Sequence, residues 1–325
     1  MSLYFKLSAK SERGGDFYSR FAPYKSAMPE LPEVETLRRE LDKSLSGHTI
    51  KKVAVLNNKT VLPLSPITFQ KKLSGLKIIS TDRRAKMLIL NLSKEYFLIF
   101  HLKMTGQLIF VPSKGEKISG GPTSTAKRII SGGHPTKDVQ TPGKHTRIIF
   151  TLDNNSHLYF NDMRKFGWAK LVDKQTLAKM TRETGPEPLS TDFTVEYLIN
   201  IFQKYPNRTI KQILLDQTMI AGIGNIYADE SCFLSGLRPD RKVETLSNNN
   251  VKKLYDELVG VLKLSIKHGG TSSRNYRRSD GTQGGFVPRL YVYGREKDPC
   301  KVCGGKLVKI RHAGRGTHYC TKCQV

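Results

Sequence analysis

Acidic residues are scarce. Asp and Glu number 28 against 54 Lys and Arg, leaving a formal charge of +26 over 325 residues. That excess points to a polyanionic partner, with nucleic acid the first candidate, although charge alone fits a generically basic, well-hydrated surface equally well. Long apolar runs are also missing. Nothing approaches the ~18 consecutive apolar residues of a membrane-spanning helix, so the chain reads as a soluble, cytoplasmic protein with no membrane partner. Cysteine is sparse at five residues, four of them clustered near the C-terminus, which excludes a secreted disulfide scaffold. What is present is 38% hydrophobic residues, enough to bury a core and to exclude wholesale disorder, in a length that suits about two domains.

Residues 1–27 show no apolar periodicity and no apolar core of the kind a secretory signal needs, and they read as a tail. From Pro29 the pattern sharpens. Val34, Leu37, Leu41 and Leu45 form one helical stripe, with Pro32 in the first turn and Gly47 closing it. Short apolar runs follow at Thr49–Leu56, Leu76–Thr81, Met87–Leu92, Tyr96–Leu102, Gln107–Val111, Thr146–Leu152, His157–Phe160 and Trp168–Val172. Many short strands at close spacing predict an antiparallel sandwich or barrel. The Gly/Ser/Thr/Pro/Lys-rich stretch 112–145 reads as one long exposed loop. After Gly185-Pro186-Glu187-Pro188 the period changes: Val195, Leu198, Ile201 and Phe202 mark one helix, Ile210, Ile213 and Leu214 a second. A third runs from about Val251 to Ile266 and closes at Gly269-Gly270. Residues 271–289 are polar, basic and glycine-rich, and read as a loop.

The sharpest motif is Cys300-x-x-Cys303 followed by Cys320-x-x-Cys323. Two such pairs suit a tetrahedral site for one zinc ion, and a shell closed by four thiolates makes that zinc structural. The intervening run predicts a hairpin carrying Lys306, Lys309, Arg311 and Arg315, a basic finger suited to a DNA groove. Cys232, among apolar residues, reads as a core thiol. Gly222-Ile-Gly224-Asn225 opens a helix, where backbone N–H groups can hold a phosphate, although a plain helix connection uses glycines too.

Met28-Pro29-Glu30-Leu31-Pro32-Glu33-Val34-Glu35 places carboxylates about a helix start, which favours the helix dipole. Together with Arg83-Arg84-Ala85-Lys86, His101-Leu-Lys-Met104-Thr-Gly106, Asp162-Met-Arg164-Lys-Phe166-Gly, Asp216-Gln217 through Gly224-Asn225-Ile-Tyr, and Tyr293-Gly-Arg295, it closely resembles the bacterial formamidopyrimidine-DNA glycosylases over about residues 28–325. The resemblance implies a multidomain α+β architecture: an antiparallel β-sandwich flanked by helices, a helix-two-turn-helix domain and a C-terminal β-hairpin zinc finger. The expected layout is a disordered or processed extension at 1–27, a catalytic sandwich domain at 28–175, a linker at 176–189, the DNA-binding helical domain with its lesion-recognition loop at 190–289, and the finger at 290–325.

The same resemblance implies a bifunctional DNA glycosylase and abasic-site lyase of base excision repair. It would excise 8-oxoguanine and formamidopyrimidines and cut the strand by β,δ-elimination. Its expected partner is double-stranded DNA bearing oxidised bases or abasic sites, and it is expected to be a monomer associated with the bacterial nucleoid. Pro29 matches the family nucleophile, Glu30 the acid that assists sugar ring opening, and Glu33 a group that holds water or the base. Lys86 matches a phosphate-contacting proton donor, and Arg315 the finger arginine of phosphate binding and δ-elimination. Met104, Arg164 and Phe166 match the residues inserted into the duplex, while His145, Arg208 and Asn225 match positions on the DNA backbone.

Two features depart from the family pattern. Tyr205-Pro206-Asn207-Arg208 stands where several lysines are usual, leaving Arg208 as the evident phosphate contact. The 27-residue extension makes the Pro29 nitrogen an amide, so the working form is expected to begin at Pro29. Two alternatives remain open: an endonuclease VIII-type enzyme for oxidised pyrimidines, and a non-catalytic binder of damaged DNA if the extension stays attached.

Overall fold

The apolar stripe beginning at Val34 becomes helix α1, Leu31–Leu45, in the computed structural model. Its four stripe residues are all at most 1% exposed, and Gly47 follows at a φ of 91°. The structure describes residues 28–113, 130–133, 141–271 and 285–325. The tail 1–27, most of the stretch 112–145 and most of 271–289 therefore lie outside the described residues.

By contact density the chain divides into two compact units. One comprises Met28–Glu183 with Ile266–Val287, and the other Thr184–Ser265 with Pro288–Val325.

In the first unit, strands β1 (Ile50–Val55), β2 (Ile78–Arg84), β3 (Met87–Leu92), β4 (Tyr96–His101), β5 (Gly106–Val111), β6 (Ile130–Gly133), β7 (Thr146–Leu152), β8 (His157–Asp162) and β9 (Trp168–Asp173) form two antiparallel sheets. Their orders are β1-β7-β8-β5-β6 and β2-β3-β4-β9. Helix α2 (Pro66–Leu73) follows β1, and α3 (Lys174–Arg182) follows β9. The strand period of two decides which side chains face inward. Leu88, Leu90, Leu92, Leu98 and Phe100 from one sheet share a core with Leu108, Phe110, Ile148, Phe150, Leu152, Leu158 and Phe160 from the other. Phe100 sits at its centre, 5.9 Å from the Phe150 ring and 5.7 Å from Phe160. The alternate residues Met87, Ile89 and Ile99 face the other way and pack with Leu177 and Met180 of α3.

The expected sandwich is present, with one correction to its loops. The stretch 112–145 is not a single loop, because β6 lies inside it and pairs with β5 from Gln107↔Gly133 to Phe110↔Ile130. Helices α2 and α3 are among the flanking helices that the resemblance implies, but the residue pattern did not locate them. Both are short, with no long apolar stripe to announce them, and each is capped by a side chain, Ser65 for α2 and Asp173 for α3.

The second unit contains α4 (Val195–Lys204), α5 (Ile210–Leu215), α6 (Asn225–Ser235), α7 (Asn248–Lys267, whose last residues return to the first unit) and the hairpin β10 (Leu307–His312) with β11 (Arg315–Cys320). Thr194 and Thr209 cap α4 and α5 through their hydroxyls. The α5–α6 turn is held by Gln217, which accepts the Gly222 N–H at 2.9 Å and donates to the Ile223 carbonyl at 2.9 Å. At the hairpin tip Ala313 and Gly314 both have positive φ, 50° and 72°, the two-residue turn that matches strand twist. Among the described residues no helix is long and apolar enough to cross a membrane.

Candidate active site and DNA interface

In the first unit the start of α1 and the β2–β3 turn lie at the same end. Asp42 accepts the Thr81 N–H at 2.7 Å, and seven residues earlier Glu35 accepts from Arg83 at 3.2 Å, so helix and strand run antiparallel. This orientation carries Pro29 and Glu30, just ahead of α1, towards Lys86 in the turn after β2. Glu30 is 3% exposed and Lys86 7%. Two ionisable side chains withdrawn from solvent at one end of a sandwich make a site capable of acid–base work. Glu35 anchors this end. Burial works to raise its carboxyl pKa, and the hydrogen bonds from Arg38 and Arg39 outweigh it, holding the group below the usual carboxylate value.

Glu33 has a well-defined set of contacts. Its Oε2 accepts the Glu30 N–H at 3.0 Å, which orders the backbone beside Pro29. Its Oε1 accepts both the N–H and the hydroxyl of Thr271, at 2.8 and 2.9 Å. A Cβ on Gly270 would sit 2.9 Å from that oxygen, so the approach needs glycine there. Thr271 gave no signal in the sequence, since its partner is 238 residues away.

Met104, Arg164 and Phe166 come together. The Arg164 guanidinium lies 4.7 Å from the Phe166 ring centre, and its Nη1 is 3.0 Å from the Met104 sulfur. Phe166 is 55% exposed, so it is not core filling. His145 lies at the foot of this cluster, its carbonyl accepting the Asp162 N–H at 2.8 Å. Burial, with help from Lys144 and Arg147, lowers its imidazole pKa. His101 is depressed further, to about 3, by burial and then by Lys103 and Lys86, and its Nδ1 accepts the Lys103 N–H at 3.0 Å. It is a neutral ring.

In the second unit the four finger cysteines converge, their sulfurs all within 4.8 Å of one another. The Cys300–Cys323 and Cys303–Cys320 sulfur pairs are 3.8 and 3.5 Å apart. A tetrahedron with Zn–S near 2.3 Å has edges of about 3.8 Å. The Val302 and Gly305 N–H groups point at the Cys300 and Cys303 sulfurs, as donors to thiolates should. The donor set fits one structural zinc.

Arg315 stands exposed at the finger tip, paired with His312 across the turn. Behind it the Gly316 carbonyl accepts from the Asn225 amide at 2.9 Å and from the Lys211 ammonium at 3.1 Å. Asn225 is thus a strut under the hairpin as well as the first residue of α6. Lys211 and Asp229, both fully buried, pair at 2.5 Å, and Asp229 also accepts the His318 N–H at 2.9 Å. Glu230 accepts three backbone N–H groups, from Tyr291, Val292 and Tyr293 at 2.8–2.9 Å. Burial pushes its carboxyl pKa up against the pull of those donors. Reading the sequence missed all three of these buried charges, because a lone charged residue in a helix reads as a surface residue. Arg208 forms an ion pair with Asp216 at 2.9 Å and stacks over Tyr205 at 5.1 Å, and its side chain stays 42% exposed.

Three family models match the chain: the formamidopyrimidine-DNA glycosylase N-terminal domain over residues 28–169, the H2TH domain of the same enzymes over 184–277, and the zinc finger found in FPG and IleRS over 297–325. The formamidopyrimidine-DNA glycosylase of Heliobacterium modesticaldum is 37% identical over 299 residues, covering 91% of this chain and all of the relative. A Lactococcus lactis Fpg variant in complex with DNA containing Fapy-dG superposes with a TM-score of 0.77 at 32% identity, over 91% of this chain and 99% of that one. The same organism's Fpg bound to abasic-site DNA gives 0.76 at 31% identity, with the same coverage. Sandwich, H2TH helices and finger define a zinc-finger DNA glycosylase. The chain belongs to the formamidopyrimidine-DNA glycosylase family.

Proposed function

We propose that this DNA glycosylase of base excision repair excises oxidised purines, 8-oxoguanine and formamidopyrimidines, and then cuts the strand at the resulting abasic site. The observation that carries the reading is the withdrawn end of the sandwich. Pro29 and buried Glu30 precede α1, and the antiparallel pairing of α1 with β2 turns them towards buried Lys86. Relatives complexed with Fapy-dG and abasic-site DNA support it.

In a form that begins at Pro29 the nitrogen is a secondary amine. α-Amino groups titrate near pH 8, so a useful fraction is unprotonated at neutral pH. The amine attacks C1′ of the damaged nucleotide, and the C1′–base bond breaks with the pair going to the base. Glu30 protonates the ring oxygen, which opens the sugar and leaves an iminium between Pro29 and C1′. Loss of a C2′ proton then drives β-elimination of the 3′ phosphate. Lys86 supplies a proton and a phosphate contact, Arg315 serves the second, δ-elimination, and Glu33 holds the Glu30 backbone in place.

The target base must leave the stack before this chemistry, and Met104, Arg164 and Phe166 fill the gap. The exposed Phe166 ring under the Arg164 guanidinium supports that role. His145, Arg208 and Asn225 each contact the DNA backbone, and the zinc held by Cys300, Cys303, Cys320 and Cys323 keeps the Arg315 hairpin folded. The enzyme works as a monomer in the bacterial cytoplasm, at the nucleoid. Comparing single-turnover excision from 8-oxoguanine·cytosine and thymine-glycol duplexes tests the assignment. Faster release of the purine supports it, and faster release of the pyrimidine makes this an endonuclease VIII-type enzyme.

A further inference from the structure

Asp162 was part of the motif that pointed to the wedge, yet the function just described gives it no task. The residue is buried, 1% exposed. One oxygen, Oδ1, accepts the Thr105 hydroxyl and, at 3.2 Å, the Arg164 N–H. The other, Oδ2, accepts the Gly167 N–H at 2.6 Å. The Thr105 oxygen itself accepts the Arg164 N–H at 3.0 Å. One carboxylate therefore binds the residue after Met104, the first residue of the Arg164–Phe166 segment and the glycine that follows it.

The two loops it joins are hard to hold by themselves. Each carries a lysine in the left-handed region, Lys103 at a φ of 51° and Lys165 at 61°, a conformation that non-glycine residues keep only when neighbours impose it. Each also ends on a glycine that could carry no side chain. A Cβ on Gly106 would lie 2.4 Å from the Leu102 carbonyl oxygen, and one on Gly167 would lie 2.9 Å from the Phe160 ring and 3.1 Å from the Asp162 carboxylate. The carboxylate is fixed in turn from its own backbone, where the Asp162 carbonyl accepts from the Arg147 guanidinium at 2.8 Å.

We propose that Asp162, acting through the Thr105 hydroxyl, is a positioning residue that assembles the duplex-inserting wedge from two separate loops before DNA arrives. This rests on the reading of Met104, Arg164 and Phe166 as the inserted residues. Asp162 touches no substrate. It sets the Met104 loop and the Arg164–Phe166 loop in one register, so that the Arg164–Phe166 stack and the Arg164–Met104 contact form in the protein alone. Holding the wedge in its working shape lowers the cost of inserting it into the stack.

Asp162→Ala removes a buried group with several donors and is prone to misfold, so the discriminating variant is Thr105→Val, which keeps the shape and removes only the hydroxyl. Single-turnover excision from an 8-oxoguanine duplex and cleavage at a preformed abasic site are measured for Thr105→Val, Thr105→Ser, Phe166→Ala and Thr105→Val/Phe166→Ala, using the form that begins at Pro29. Thr105→Val is expected to slow excision at least tenfold while abasic cleavage stays within about threefold. Thr105→Ser should restore excision. In the Phe166→Ala background the added Thr105→Val change should cost less than it does alone, because part of the wedge it positions is already missing.

A Thr105→Val loss equal on both substrates, or one that persists undiminished beside Phe166→Ala, overturns the proposal and leaves the wedge reading intact. If Phe166→Ala alone excises at the normal rate, the wedge reading fails, and the proposal with it.

Discussion

Glu33 and Thr271, 238 residues apart, share two hydrogen bonds, the threonine N–H and hydroxyl both donating to Glu33 Oε1. The other carboxylate oxygen holds the Glu30 N–H. Glu33 is therefore a clamp between the start of α1 and the residue that follows Gly270. Glu33→Ala deprives three buried donors of their acceptor, and each costs about 1–3 kcal/mol. We expect a loss of at least about 2 kcal/mol in urea denaturation and a marked fall in excision rate. Glu33→Gln, which keeps one acceptor oxygen, should lose less on both counts.

Phe166→Ala should impair excision of 8-oxoguanine more than cleavage at an abasic site, where less unstacking is needed. Single-turnover rates on the two duplexes decide this. Equal losses would return Phe166 to a structural role.

The legibility of the fold and that of the site differ, and the reason is physical. Val34, Leu37, Leu41 and Leu45, and the alternating strands, announce themselves because burial of a repeating face leaves a local period. The strand Ile130–Gly133 was hidden because Ile-Ser-Gly-Gly has no alternation, and its pairing with β5 is tertiary. Pro29, Glu30 and Lys86 were found through a family motif rather than through spacing. Lys211, Asp229 and Glu230 were not found, and Asp162 was seen in a motif without its task, because what makes each one matter is a partner distant in sequence.

Lys211 shows what such a partner is worth. All three of its ammonium donors are used, on Asp229, Gly316 and Thr317. Lys211→Met leaves the Asp229 carboxylate buried without its counter-charge, a change that costs about 3–5 kcal/mol. Chemical denaturation should register that loss, and Arg315-dependent strand cleavage should fall with it.

Cys300→Ser should drop the zinc content well below one ion per chain and abolish DNA affinity, while the sandwich unit keeps its near-ultraviolet signature. Metal binding and local folding are coupled in a site this small. Fully active protein without zinc on metal analysis would contradict the assignment.

Acid should destabilise the sandwich through His101. Its folded pKa, about 3, lies below the ordinary value of 6.5, so its contribution is complete above pH 6.5 and is lost as the pH falls towards 3. In that window the group adds a slope of up to about 1.4 kcal/mol per pH unit. A His101→Gln variant should show a shallower fall in stability between pH 6.5 and 4, measured by urea titration at each pH.

Covalent catalysis by the Pro29 nitrogen is open to direct chemical trapping. Borohydride reduction during turnover of an 8-oxoguanine duplex, followed by peptide mass spectrometry, tests it most directly when the form beginning at Pro29 is compared with an N-terminally verified 1–325 chain. An amide nitrogen has no nucleophilic pair, and Lys86 is assigned here to proton donation and phosphate contact rather than to attack. A reduced sugar adduct is expected on Pro29 of the shorter form, with little trapping by the longer one, which should still bind lesion DNA. An adduct on Lys86, or equal trapping and cleavage by the intact 1–325 chain, would contradict it.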